Sequence, residues 1–171
     1  MRRWVMTSVV AVFALGPVLA FGAGGGGGDD SRLPPGKPED PDYTAAVRAI
    51  KAKNYAAAIP LLEGVVTRDN TNADAYNWLA YATRKNGDPA KSVPIYEKAL
   101  AIDPKHRGAH EYVGEAYLAL NNLPKAKEHL ARLDKLCFFP CSEYTDLKKA
   151  VQAYESGRGR SMPAGSVPAG R

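Results

Sequence analysis

Cysteine, histidine and methionine are scarce in this chain: two Cys, three His and three Met in 171 residues. Two cysteines are too few for a disulfide-dense scaffold. There is no nucleophile motif, no phosphate-binding loop and no zinc-protease signature, so nothing points to an enzyme or to a cofactor. An excess of charge of one sign is missing from the interior of the chain as well. The formal net charge is +5, but between positions 42 and 155 there are 16 basic side chains against 14 acidic ones. The basic character therefore belongs to the ends. A nucleic-acid partner would need that excess inside the fold, clustered on one face, and is excluded. Aromatics make up 9% and the hydrophobic set 45%, which suits a packed domain rather than a disordered one.

A long uncharged run is present at the N-terminus. Arg2 and Arg3 precede the stretch from Trp4 to Leu19, and Val18, Leu19 and Ala20 lead to a cut after Ala20. This is the layout of a secretory signal peptide, expected over residues 1–20. An uncleaved anchor is the competing reading; Gly16 and Pro17 interrupt it where a spanning helix should continue. Cleavage leaves no stable membrane insertion and places the protein in the bacterial periplasm. Residues 21–40 hold an unbroken run from Gly24 to Gly28, then Pro34, Pro35 and Pro38. That composition reads as a linker, flexible first and stiffer later. Residues 156–171 read as a tail of similar character.

The middle of the chain repeats every 34 residues. Ala58, Ser92 and Ala126 fall in register, as do Ala46, Ala80 and Gly114, and Val65, Ala99 and Leu133. A 34-residue period with alternating small and large apolar positions marks an array of helix hairpins. In the middle unit, Tyr76, Leu79, Ala80 and Thr83 share one helix face. Gly87 suits the left-handed turn that follows, and Asp88 suits the cap of the next helix. The small residue at 58, 92 and 126 belongs where two antiparallel helices cross, because a larger one would overpack the contact. Pro60 and Pro94 lie near their helix starts, at the cost of a slight kink. A last helix is expected over 142–155, with Ser142 as N-cap candidate and Leu147, Ala150, Val151 and Tyr154 on one face. It would cover the end of the array.

The best stretch, residues 73–104, closes on Tyr96, Ala99, Leu100, Ile102, Asp103 and Pro104. There the sequence resembles the tetratricopeptide repeat family. The resemblance implies an all-α, right-handed solenoid of three helix pairs plus a capping helix, spanning 41–155. The repeats fall at about 39–72, 73–106 and 107–140. The family tryptophan is replaced by Asp42, Tyr76 and His110, and only the third repeat has the later tyrosine, Tyr117. The segment from His106 through Tyr144 also resembles a subgroup of exported bacterial repeat proteins.

In this family the inward-facing positions of each first helix line a groove that takes peptides. By register these are Tyr43, Val47 and Ile50, then Asn77, Tyr81 and Arg84, then Glu111, Glu115 and Leu118. The family's clamp for a terminal carboxylate needs Lys and Asn where this chain has Tyr43 and Val47, so that ligand is not implied. The function implied is non-enzymatic: an adaptor or scaffold for a protein or peptide partner.

Other chemistry has fewer residues behind it. Cys137 and Cys141, four apart with Pro140 between them, suit a structural disulfide after export; the spacing is one too long for the redox motif C-x-x-C. His106 and His110 could face one metal if a helix spanned both, but a third ligand is not evident. Glu63, Glu97, Glu111, Glu115 and Glu128 are spaced like solvated helix faces. Two further readings stand beside the adaptor. One is a structural envelope protein that binds cell-wall glycan through Trp78 and Tyr81. The other is a metal-binding or redox factor using His106, His110, Cys137 and Cys141.

Overall fold

The computed structural model describes residues 40–157. The signal peptide, all of the linker but Asp40, and all of the tail but Ser156 and Gly157 lie outside the described residues. Seven helices run in chain order within them: α1 Pro41–Lys51, α2 Tyr55–Arg68, α3 Ala73–Lys85, α4 Pro89–Ile102, α5 Arg107–Ala119, α6 Leu123–Leu136 and α7 Ser142–Glu155. No strand occurs among the described residues. The fold is all-α, a right-handed solenoid in which α1/α2, α3/α4 and α5/α6 are hairpins and α7 closes the array.

Local chemistry explains why the helices start where they do. Asp40, Asn54, Asn72, Asp88, His106 and Asn122 each stand just before a helix, and each side chain accepts from a first-turn N–H. Asn54, Asp88 and Asn122 are 34 apart, so the caps share the period of the core. Helix α7 is the exception. Its cap position is Cys141, which makes no side-chain cap bond; Ser142, expected there, is instead the first helical residue and donates its hydroxyl to Glu143. The hairpin turns also repeat. Lys53, Gly87 and Asn121 all have positive φ, at 58°, 103° and 59°. The geometry of the turn demands a left-handed residue, and only the middle hairpin supplies glycine for it.

Packing follows the small positions. Ala58, Ser92 and Ala126 are wholly buried, and the Ser92 hydroxyl is satisfied by the Pro89 carbonyl at 2.8 Å. Three apolar clusters run along the array. The first gathers Ala46, Ile50, Ala58, Leu62, Val65, Ala75 and Leu79. The second gathers Ala80, Tyr96, Ala99, Ala109 and Val113. The third gathers Leu118, Ala126, Leu133, Leu147, Val151 and Tyr154. The first two clusters span the seams between successive hairpins and the third joins the last hairpin to α7, so no hairpin buries its own apolar faces alone.

The capping helix departs from the rhythm. Of the preceding pair, α3 and α5 each contact chiefly the second helix, whereas α7 lies chiefly on the first helix of its preceding pair, α5, and less on α6. Gly114 permits this approach: a Cβ placed there would come within 2.6 Å of Leu147 Cδ2. Leaning on α5, helix α7 covers part of that helix's inner face, with consequences for the residues described next.

Candidate functional site

Helix spacing places Tyr43, Val47 and Ile50 on one face of α1, Asn77, Tyr81 and Arg84 on one face of α3, and Glu111, Glu115 and Leu118 on one face of α5. The structure distributes these side chains unequally. Tyr43, Val47 and Tyr81 are half-buried. Ile50 belongs to the first apolar cluster, and Leu118 to the third, beneath α7; these two serve the core. Asn77 is 4% exposed and Glu111 9%.

Aromatic rings form the middle of this face. Tyr81 is 5.5 Å from Trp78, 4.9 Å from Tyr112 and 6.2 Å from Tyr55, centroid to centroid. Trp78 and Tyr112 are themselves 6.4 Å apart. Tyr112 and Tyr55 lie outside the register positions expected to line the groove. Tyr112 could have been found, because it lies 34 residues after Trp78, in the same register. Trp78 is half-buried within the cluster rather than free in solvent.

Arg84 joins the rings to the acidic end. Its guanidinium carbon is 5.5 Å from the Tyr81 centroid and 5.9 Å from that of Tyr112. Its Nη2 lies 2.7 Å from Oε2 of Glu115, and the Arg84 side chain is only 11% exposed. Much of its charge is already committed within the chain, which limits what it can offer to an anionic guest.

Glu111 differs from the solvated carboxylate expected of it. Burial, followed by the fields of Glu115, Asp146 and Glu143, pushes its pKa up to about 8. Glu143 and Asp146 come from α7, so this environment is a tertiary product. The carboxylates around Glu111 have cations close by: Arg84 for Glu115, Arg107 at 3.7 Å for Glu143 and Lys149 at 3.2 Å for Asp146. Glu111 has neither a hydrogen-bond nor an ion-pair partner among the described residues. Asn77 presents a second unmet group: its Oδ1 is buried and accepts no hydrogen bond.

His106 and His110 do not converge. The His106 ring caps α5, with Nδ1 accepting from Ala109 N–H, and its Nε2 is 3.1 Å from Asp74. His110 turns elsewhere: its Nε2 is 3.1 Å from the Pro104 carbonyl and its Nδ1 is 2.9 Å from Nδ1 of His129. The carbonyl can only accept, so His110 carries its proton on Nε2, and its bare Nδ1 accepts a hydrogen bond from the Nδ1–H of His129. Burial lowers the pKa of both rings, that of His129 to about 4. No group of three or more His, Cys, Asp or Glu is placed to hold a metal among the described residues. Cys137 and Cys141 are joined in a disulfide that closes the bend between α6 and α7. Its loop leaves Phe138 and Phe139 exposed. No described helix is long and apolar enough to cross a membrane.

Equal hairpins stacked in register and closed by a single helix define a helical-repeat solenoid. Two tetratricopeptide repeat models match residues 43–107 and 83–136, and the chain belongs to the tetratricopeptide repeat family. It is 32% identical over 92 residues to Tetratricopeptide repeat protein 1 of Schizosaccharomyces pombe. That match covers 50% of this chain and 9% of the relative, so the chain spans about a tenth of the relative's length. Among solved structures, the Yersinia enterocolitica type III secretion translocator chaperone SycD superposes with a TM-score of 0.62 at 16% identity. That alignment covers 68% of this chain and 83% of SycD. The first repeat domain of Spaghetti (RPAP3), solved with an HSP90 peptide bound, gives 0.60 at 22% identity, over 67% and 90% of the two chains. These likenesses are likenesses of fold.

Proposed function

We propose that this protein is a non-enzymatic adaptor that holds a segment of another protein on the inner face of α1, α3 and α5, and that it works in the bacterial periplasm. The observation that carries the reading is the ring cluster of Trp78, Tyr81 and Tyr112 around Arg84. Rigid aromatic surface is the residue chemistry that dominates protein-binding hot spots. Proteins of the same fold include a translocator chaperone and a domain solved with a peptide on it, which supports an interaction role. The uncharged run behind Arg2 and Arg3 supports export, and a disulfide between Cys137 and Cys141 suits an oxidising compartment.

The test is photo-crosslinking in the native host. A crosslinking residue at Lys85, which lies over the Tyr81 ring, should trap a partner in the periplasmic fraction. The same residue at Glu63, exposed on α2, should not. Tyr81→Ala should remove the Lys85 crosslink with unchanged helicity. Equal crosslinking from both positions, or capture that survives Tyr81→Ala, sinks the groove assignment. Recovery of the protein only in the cytoplasm sinks the location.

A further inference from the structure

We propose that the ring pair of His110 and His129 is an acid-sensitive latch, and that in mild acid the third hairpin, α5/α6, opens while the first two stay closed. Nothing about this device depends on what the inner face holds.

The pair joins the two helices of that hairpin. His110, 6% exposed, comes from α5, and the half-buried His129 comes from α6. Their Nδ1 atoms face each other at 2.9 Å. The two neutral rings carry one proton each. That of His110 is on Nε2, which donates to the Pro104 carbonyl 3.1 Å away. That of His129 is on Nδ1, which donates to the bare Nδ1 of His110. A third proton can go to His129 Nε2 without breaking either bond. A fourth has only His110 Nδ1 to go to. Two N–H groups would then meet head-on across 2.9 Å, with a positive charge behind each. The contact turns from attractive to repulsive, and it lies on the seam between α5 and α6.

The surroundings hold the closed pair neutral. Burial lowers the pKa of both rings below the ordinary 6.5, that of His129 to about 4. Lys125 and Arg132 on α6 and His106 at the start of α5 disfavour a further positive charge. Glu128 on α6 and Asp103 in the α4–α5 turn act the other way, but Glu128 is paired with Lys125 at 2.9 Å. Tyr117 of α5 stacks on His129 at 5.7 Å, centroid to centroid, and gives its hydroxyl to Glu97 of α4. No carboxylate hydrogen-bonds to the His110 or His129 ring among the described residues. In an open hairpin, water surrounds the rings and both take protons at their ordinary value. Acid therefore favours the open form.

The place of the pair in the array makes that opening local. A repeat in a solenoid contacts only its neighbours, so the last hairpin can open without the first two. All three histidines of the chain lie at 106 or later, so mild acid finds no histidine to charge in α1–α4.

Hydrogen exchange of the full chain at pH 7 and pH 5, corrected for intrinsic rates, tests the latch. Protection of α5 and α6 amides should fall roughly twenty-fold, from the gap between 6.5 and about 4 at His129 alone. Amides of α1–α3 should keep theirs. His129→Asn takes up no proton, and its amide can turn either a donor or an acceptor toward His110. That variant should retain α5 and α6 protection at pH 5. Nitrogen chemical shifts of the unaltered chain should place the protons on His110 Nε2 and His129 Nδ1 at pH 7, with His129 of the closed form still neutral at pH 5. Protection lost evenly along the array, a loss that persists in a folded His129→Asn, or a charged His129 in the closed form at pH 5 overturns the proposal. Should His129→Asn not fold, the shifts of the unaltered chain decide.

Discussion

Arg84 Nη2 stands 2.7 Å from Glu115 Oε2, across the seam between the second and third helix pairs. The contact ties α3 to α5, which are joined in sequence only through α4. The cation is nearly out of water, and its guanidinium is flanked by Tyr81 and Tyr112. Truncating it leaves a carboxylate facing rings. Arg84→Ala should lower the unfolding free energy by about 2–3 kcal/mol, somewhat below the cost of breaking a wholly buried pair because Glu115 is partly exposed. Arg84→Met with Glu115→Gln should recover part of that loss. Urea titration of the single and double variants measures the coupling, and strictly additive losses would refute a direct link.

Glu111 predicts a pH dependence of stability. Its folded pKa, about 8, lies above the ordinary 4.5. As pH rises through that window the unfolded chain gives up the proton first, so stability falls by about 1.4 kcal/mol per pH unit. It is full below 4.5 and levels off above about 8. Glu111→Gln should remove this slope, so the variant gains on the parent from pH 5 to pH 8. Unfolding curves that stay parallel across that range would show Glu111 to be ionised in the fold.

At Gly114 the capping helix comes too close for a side chain. Gly114→Ala would put a methyl 2.6 Å from Leu147 Cδ2, and Leu147 is fully buried. The gain in helix propensity, up to about 1 kcal/mol, is outweighed by overpacking. A net loss of roughly 1–2 kcal/mol is expected, with α7 amides exchanging faster than those of α1–α4. A neutral or stabilising result would mean that α7 does not dock as described.

The left-handed turn at Lys53 offers a stabilising change. A side chain at φ 58° is strained in a way that glycine is not, by about 1–2 kcal/mol. Against this stands the greater freedom of glycine in the unfolded chain. Lys53→Gly should therefore raise stability by roughly 0.5–1 kcal/mol, whereas Gly87→Lys, at the equivalent turn, should lower it. Thermal melts of the two variants moving in the same direction would contradict the shared geometry.

Much of the fold is legible before any coordinates. The small residues at 58, 92 and 126 and the caps at 54, 88 and 122 share one period, because each hairpin meets its neighbour in the same way. Where a residue's partners lie inside its own hairpin or in the same register of the next, spacing alone reveals them. Tyr112 could have been selected on that basis from Trp78. Glu111 could not. Its neighbours Glu143 and Asp146 sit more than 30 residues away on a helix outside the repeat, and it was expected among solvated faces.

The helical class, the length and number of the hairpins, and the faces they turn toward one another can all be read from residue order. Those are consequences of local spacing repeated three times. It took long-range packing to set α7 on α5, to turn Leu118 into the core, to pair Arg84 with Glu115 and to leave Glu111 nearly buried with no cation paired to it among the described residues. The reason is physical. The period records how equivalent hairpins pack, but the end of the array has no next hairpin, and its packing depends on the shapes that meet there, such as Gly114 against Leu147.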